Sequence, residues 1–161
     1  EINLPSDLTK IGNSVFNECV NLWKTKSEMS SIELPNSITN IGHHAFYGCN
    51  KITNISLPSS LKKIGTECFV NNVYTINPGT PIIPLDTIDS ITMASKILTI
   101  YISDELTSPP TFTNENGMDD TSARPFGNLN SRGIYINIPS SLSRIYLNDT
   151  YWKQYRSIFL L

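Results

Sequence analysis

The chain has 161 residues, is 39% hydrophobic and 16% charged, and carries a formal net charge of −2. That length suits one domain with a sizeable core, and the composition is too apolar for a disordered chain. The mixed, near-neutral charge leaves no basic footprint for nucleic acid, no run reaches the length of a membrane-spanning helix, and three cysteines do not make a disulfide framework.

From its first residues the chain repeats itself. The pattern L/I-P-x-S/D-L/I-x-x-I-G-x-x-x-F-x-x-C runs from Leu4-Pro5 to Cys19, from Leu34-Pro35 to Cys49, and from Leu57-Pro58 to Asn72. Pro5, Pro35 and Pro58 align, as do Gly12, Gly42 and Gly65, and Phe16, Phe46 and Phe69. A period near 23 residues, stretched once, is the mark of a solenoid, in which each unit buries its apolar face only against its neighbours. Such folds present a surface more often than they enclose a catalytic pocket.

Within a unit, Ser31-Ile32-Glu33-Leu34 and Asn54-Ile55-Ser56-Leu57 alternate polar and apolar residues, as half-buried strands do. The proline that follows lacks an N–H and ends the ladder. Gly12, Gly42 and Gly65 mark a corner that needs either positive φ or close backbone approach. The segments 13–19, 43–49 and 66–72 are spaced for about two helical turns each. The first unit carries extra residues at 23–29, a loop expected to bulge from one face, with Trp23 either exposed as an anchor or folded back onto the coil.

After residue 72 the period fades. Residues 77–96 are rich in Pro and Ile, and 108–132 are polar with several turn dipeptides, so both are expected to belong to a degenerate cap. Strand signals return at 98–102 and 134–138. Pro139-Ser140-Ser141-Leu142 then repeats Pro58-Ser59-Ser60-Leu61. Short amphipathic helices are expected over 140–158, with Leu142, Ile145, Tyr146, Trp152, Tyr155 and Ile158 buried. The division is one domain, 1–161: regular repeats to 76, irregular repeats and loops over 77–133, and a capping element over 134–161.

These units resemble the BspA-like class of bacterial leucine-rich repeat, whose unit reads roughly I-P-x-S-V-x-x-I-G-x-x-A-F-x-x-C-x-x-L. The copy from Leu34, with Ala45-Phe46 and Gly48-Cys49, matches nearly every position. The first copy departs at Glu18 and by its insertion, and the third has Cys68 early and Asn72 where the family has Cys. The ending from Ile138-Pro139 to Tyr151-Trp152 and Tyr155 resembles the family's terminal element. The resemblance implies an α/β, right-handed leucine-rich-repeat solenoid, β-rich with short helical turns and an irregular C-terminal cap. It also implies an exported protein of the bacterial cell surface, active in adhesion or host-protein binding. The chain opens at Glu1 without an initiator Met and is expected to be a piece of a longer precursor.

The candidate functional residues follow from the repeat. Outward positions of the strands form two columns, Glu1, Ser31, Asn54 and Asn3, Glu33, Ser56, a hydrated face able to meet a protein or glycan through hydrogen bonds. Trp23 is the candidate anchor, because Trp is enriched at interface hot spots. Asn3, Ser31, Glu33, Asn54, Ser56 and Trp23 are therefore the binding candidates. Phe16, Phe46 and Phe69 read as a stacked core, each contributing roughly 1.5–3 kcal/mol by burial. Cys19 and Cys49 occupy equivalent positions in successive coils and read as small core hydrophobes. His43 and His44 read as surface residues with no nucleophile beside them. The loop from Asn114 to Asp120 offers oxygen ligands but not the spacing of a calcium loop. No catalytic residue, metal or cofactor is expected, and the fragment is not expected to span a membrane.

Overall fold

The structure, a computed structural model, describes residues 4–19, 30–49, 52–70, 98–127 and 134–161. Among the described residues, nine short strands form two all-parallel sheets. The first holds β1 (Lys10–Ile11), β3 (Asn40–Ile41), β5 (Lys63–Gly65) and β7 (Thr111–Thr113), in that order. The second holds β2 (Ser30–Glu33), β4 (Ile52–Leu57), β6 (Leu98–Ile102), β8 (Ile134–Asn137) and β9 (Phe159–Leu160). Successive strands of a sheet come from successive coils, which is the topology of a solenoid.

Register follows the repeat. Ile11, Ile41, Ile64 and Phe112 form one inward column, and Ile32, Ile55, Ile100 and Ile136 another. All eight are buried. A one-residue slip would turn every one of these side chains outward, so the alternation itself pins the pairing. Only β4 departs, with Thr53 as an extra residue where the register to β2 shifts.

Between the sheets each coil turns in the same way. The N–H of Leu8, Ile38, Leu61, Leu106 and Leu142 donates to the carbonyl of Pro5, Pro35, Pro58, Ser103 and Pro139, at 2.9–3.1 Å. The serine of the motif has a purpose here. Ser37 Oγ donates to the Leu8 carbonyl (2.7 Å) and Ser60 Oγ to the Ile38 carbonyl (2.6 Å), each tying its coil to the one before.

The third side of each coil is not helical, contrary to the spacing at 13–19, 43–49 and 66–70. Alternate N–H groups leave their own segment: those of Ser14, Phe16 and Glu18 donate to the carbonyls of His43, Ala45 and Tyr47 at 2.7–2.9 Å. Those of His44, Phe46 and Gly48 donate in the same way to Thr66, Cys68 and Val70. Ser14, His44 and Glu67 adopt φ of 57°, 55° and 53°. A left-handed residue in each segment costs about 1–2 kcal/mol and forbids continuation of an α-helix. The result is a stack of tight turns hydrogen-bonded coil to coil.

That stack aligns the aromatic spine. The rings of Phe16 and Phe46 lie 5.2 Å apart, Phe46 and Phe69 5.6 Å, and Phe69 and Phe126 5.8 Å, all nearly parallel. Phe126 belongs to a fourth coil over 98–127. Residues 108–127, expected in a cap, instead pair with the third coil through β5 and β7 and supply this fourth ring.

The glycine corner is a matter of close approach. Neither Gly42 nor Gly65 has positive φ among the described residues, yet a Cβ on Gly65 would lie 2.3 Å from the His43 backbone N. Beyond the fifth coil the chain forms α1 (Ser143–Asn148) and a 3-10 helix (Trp152–Ile158) before returning as β9. Trp152 is wholly buried against Phe112 and Phe126, and its Nε1 donates to the Pro110 carbonyl at 2.8 Å. Tyr155 donates from its hydroxyl to the Gly127 carbonyl at 3.1 Å. Ile145, expected to be buried, is 45% exposed on the outer side of α1, and Ile158 is half-buried.

Candidate interaction face

The five-stranded sheet turns its other face to solvent, and its register sets two outward columns. One runs Ser31, Asn54, Thr99, Tyr135; the other runs Glu33, Ser56, Tyr101, Asn137, Leu160. Glu33 and Ser56 are exposed and adjacent, and Asn54 is half-buried. Ser31 is placed by its backbone register to Asn54. Two further candidates, Asn3 and Trp23, lie outside the described residues, as does Glu1.

The columns continue past these candidates and change character. Tyr101 is 42% exposed, Tyr135 39% and Leu160 45%. Tyr101 pairs with Asn137 and Thr99 with Tyr135, so the two tyrosines sit diagonally on neighbouring strands around a small polar pair. Leu160 follows Asn137 in the same column. These residues lie beyond the clear repeats, where the outward columns expected from the sequence stop. The alternation in Leu98-Thr99-Ile100-Tyr101-Ile102 and in Ile134-Tyr135-Ile136-Asn137 carried the signal, since Ile inside places Tyr outside.

Elsewhere the polar groups are engaged with one another. His43 Nδ1 meets the Thr66 carbonyl at 3.0 Å, which puts the proton on that nitrogen, and His44 Nε2 meets Glu67 Oε2 at 2.5 Å. The two imidazoles stack at 3.7 Å, with Tyr47 4.6 Å from His44. In the 114–120 loop, Asp119 Oδ1 accepts from Lys63 Nζ at 2.8 Å and from Thr111 Oγ1 at 3.2 Å. Those bonds, the lysine's first, hold its carboxyl below the usual aspartate range. Asp120 is lowered by hydrogen bonds from the Ser122 side chain and backbone. Asn114 Oδ1 accepts from the N–H of Asn116 and Met118. Among the described residues, no three His, Cys, Asp or Glu side chains converge as a metal site would require.

The thiols are free. Burial pushes Cys49 up to about 11 and Cys68 well above an ordinary thiol, so both are protonated and unreactive at neutral pH. Cys49 Sγ donates to the Phe16 carbonyl at 2.8 Å. Cys19, at the first coil, is half-buried.

A comparison with known families matches residues 24–148 to the BspA type leucine rich repeat region, in six copies. The chain belongs to this family. The first coil, 4–19, lies outside the matched span yet stacks in the same register through β1 and β3. No curated protein and no solved structure matches the chain. Membership in the BspA-type repeats marks the chain as an interaction or surface module. Among the described residues no helix is long and apolar enough to cross a membrane.

Proposed function

We propose that this chain is a non-enzymatic, adhesion-type interaction module, exported to a bacterial cell surface, that binds a protein or glycan of a host or neighbouring cell. Binding runs through the outward face of the five-stranded sheet. The observation that carries this reading is the gathering of exposed Tyr101, Tyr135 and Leu160 around Asn137 on that face. Large apolar side chains left in water at one place, bordered by small polar ones, mark interaction sites more often than scattered exposure does. Glu33, Asn54 and Ser56 extend the same face toward the first coils, and Asn3, Ser31 and Trp23 join the proposed site on the sequence pattern alone.

A structural spacer is the second reading, favoured by the polar Glu33 and Ser56 region. A spacer has no use for exposed tyrosines. The deciding experiment is a screen of the intact chain on glycan and extracellular-protein arrays, with Trp23→Ala and Tyr101→Ala/Tyr135→Ala in parallel. A specific hit abolished by the tyrosine pair is the expected result. Hits indifferent to both variants would refute the strand face, and silence on every array would leave the spacer.

A further inference from the structure

We propose that the patch around Tyr101 and Tyr135 binds an uncharged, β-linked polysaccharide laid across the strands, along the axis of the solenoid. The inference rests on the strand-face reading above and names its ligand.

Charge is the first argument. Along Glu33, Ser56, Tyr101 and Asn137, and beside them Thr99 and Tyr135, the single ionised side chain is Glu33, two rungs from Tyr101. Among the described residues of these columns, an anionic sugar, nucleic acid or acidic peptide finds no cation, and a basic peptide finds no carboxylate beside the tyrosines.

Shape is the second. In-register parallel strands make a flat face whose rungs recur about every 4.7–4.9 Å. That pitch is close to the length of one sugar in an extended β-linked chain, so successive sugars of one chain meet successive coils, with Tyr101 and Tyr135 reaching it from adjoining columns. A protein hot spot, by contrast, is an anchor in a desolvated pocket, which this flat face does not offer.

Chemistry is the third. A pyranose has apolar C–H faces and a rim of hydroxyls. Tyr101 and Tyr135 present exposed rings whose electron-rich faces complement such C–H groups. Ser56, Thr99 and Asn137 carry hydroxyl and amide groups that both donate and accept, as the hydroxyl rim requires. The diagonal placement lets the two rings contact neighbouring sugars of one chain.

The test titrates the intact chain with hexasaccharides of β-linked glucose, mannose, xylose and N-acetylglucosamine, followed by calorimetry. At least one is expected to bind with a Kd of about 1 mM or tighter. Tyr101→Ala/Tyr135→Ala should weaken it by about tenfold or more, while Tyr101→Phe/Tyr135→Phe keeps the rings and stays within about threefold. Tyr47→Ala, on the stacked turns, should bind as the parent does, and melting curves confirm that each variant folds. Absence of saturable binding to all four sugars overturns the proposal, as does binding that the alanine pair leaves intact. If the arrays instead return a protein hit that the alanine pair abolishes, the strand face stands and the sugar falls.

Discussion

Replacing Gly65 with Ala should damage this fold far more than the same change at Gly12, although both glycines occupy the same position of the repeat. A Cβ on Gly65 would lie 2.3 Å from the His43 N, 2.4 Å from the Gly42 carbonyl carbon and 2.7 Å from the His43 Cα. All three are backbone atoms of the preceding coil and none can rotate away. Ordinary contact between such atoms is about 3.5–4.0 Å, so the coils must part by about 1 Å at this corner. Overpacking of this kind costs about 1–3 kcal/mol, and each backbone hydrogen bond stretched open at the corner adds about 1 kcal/mol. Against this, Ala loses less chain entropy on folding than Gly, worth about 0.4–1 kcal/mol. The net is a loss of about 2–4 kcal/mol, read as a fall in Tm of about 5–15 °C for a domain of this size. At Gly12 the new methyl would meet only Val15 Cγ2, at 3.3 Å, on a side chain that is itself exposed. There the change should stay within about 0.5 kcal/mol of neutral. Thermal melts followed by circular dichroism decide the matter. Equal melting of the two variants would show that the close glycine stack is not what holds the corner.

Ser60→Ala removes the hydroxyl that donates to the Ile38 carbonyl and should cost about 0.5–1.5 kcal/mol in urea unfolding, although it deletes no apolar side chain. The two cap tyrosines should part company. Tyr155→Phe loses the bond to the Gly127 carbonyl and about 1 kcal/mol, whereas Tyr146→Phe deletes a buried hydroxyl with no partner among the described residues and should leave Tm unchanged or raised. Under native conditions a thiol reagent near neutral pH should modify Cys19 first, with Cys49 and Cys68 labelled only on unfolding; mass mapping of the adducts checks it. Asp119 is more acidic folded than its ordinary value of 3.8, so its contribution is present above that pH and is lost as pH falls through its lower folded value. Asp119→Asn should therefore flatten part of the acid limb of a stability-against-pH curve, and an unchanged limb would discount the Lys63 bond.

Strand alternation, the phenylalanine spine and the close glycine corner were all legible in the first three units, because each depends on a side chain that recurs. The stacked turns were not. Left-handed backbone at Ser14, His44 and Glu67 is imposed by hydrogen bonds from the next coil, and none of these residue types announces it as glycine would. The fourth coil escaped for a different reason. Ser103 replaces the proline, Thr113 the glycine, and extra residues separate Leu106 from Thr111 and Thr113 from Phe126, so the spacing no longer lines up. Yet Leu106 still makes the same turn and Phe126 still closes the spine. Structure keeps the contact while sequence spends the spacing on a loop. Glu33, Ser56 and Asn54 lie in the outward columns of the five-stranded sheet, and the aromatic part of that face sits on β6 and β8, beyond the clear repeats.

The two hydrogen bonds from Trp152 and Tyr155 reach back to carbonyls at Pro110 and Gly127, both in the fourth coil. During synthesis the fourth coil therefore leaves the ribosome with Phe112 and Phe126 covered by the third coil on one side only, and their other side stays bare until some thirty further residues have followed. The interval between synthesis of the fourth coil and of this capping segment is when the chain is most prone to adhere to its neighbours. Deleting residues 152–161 would leave that state permanent, and should harm solubility more than their small share of the mass suggests.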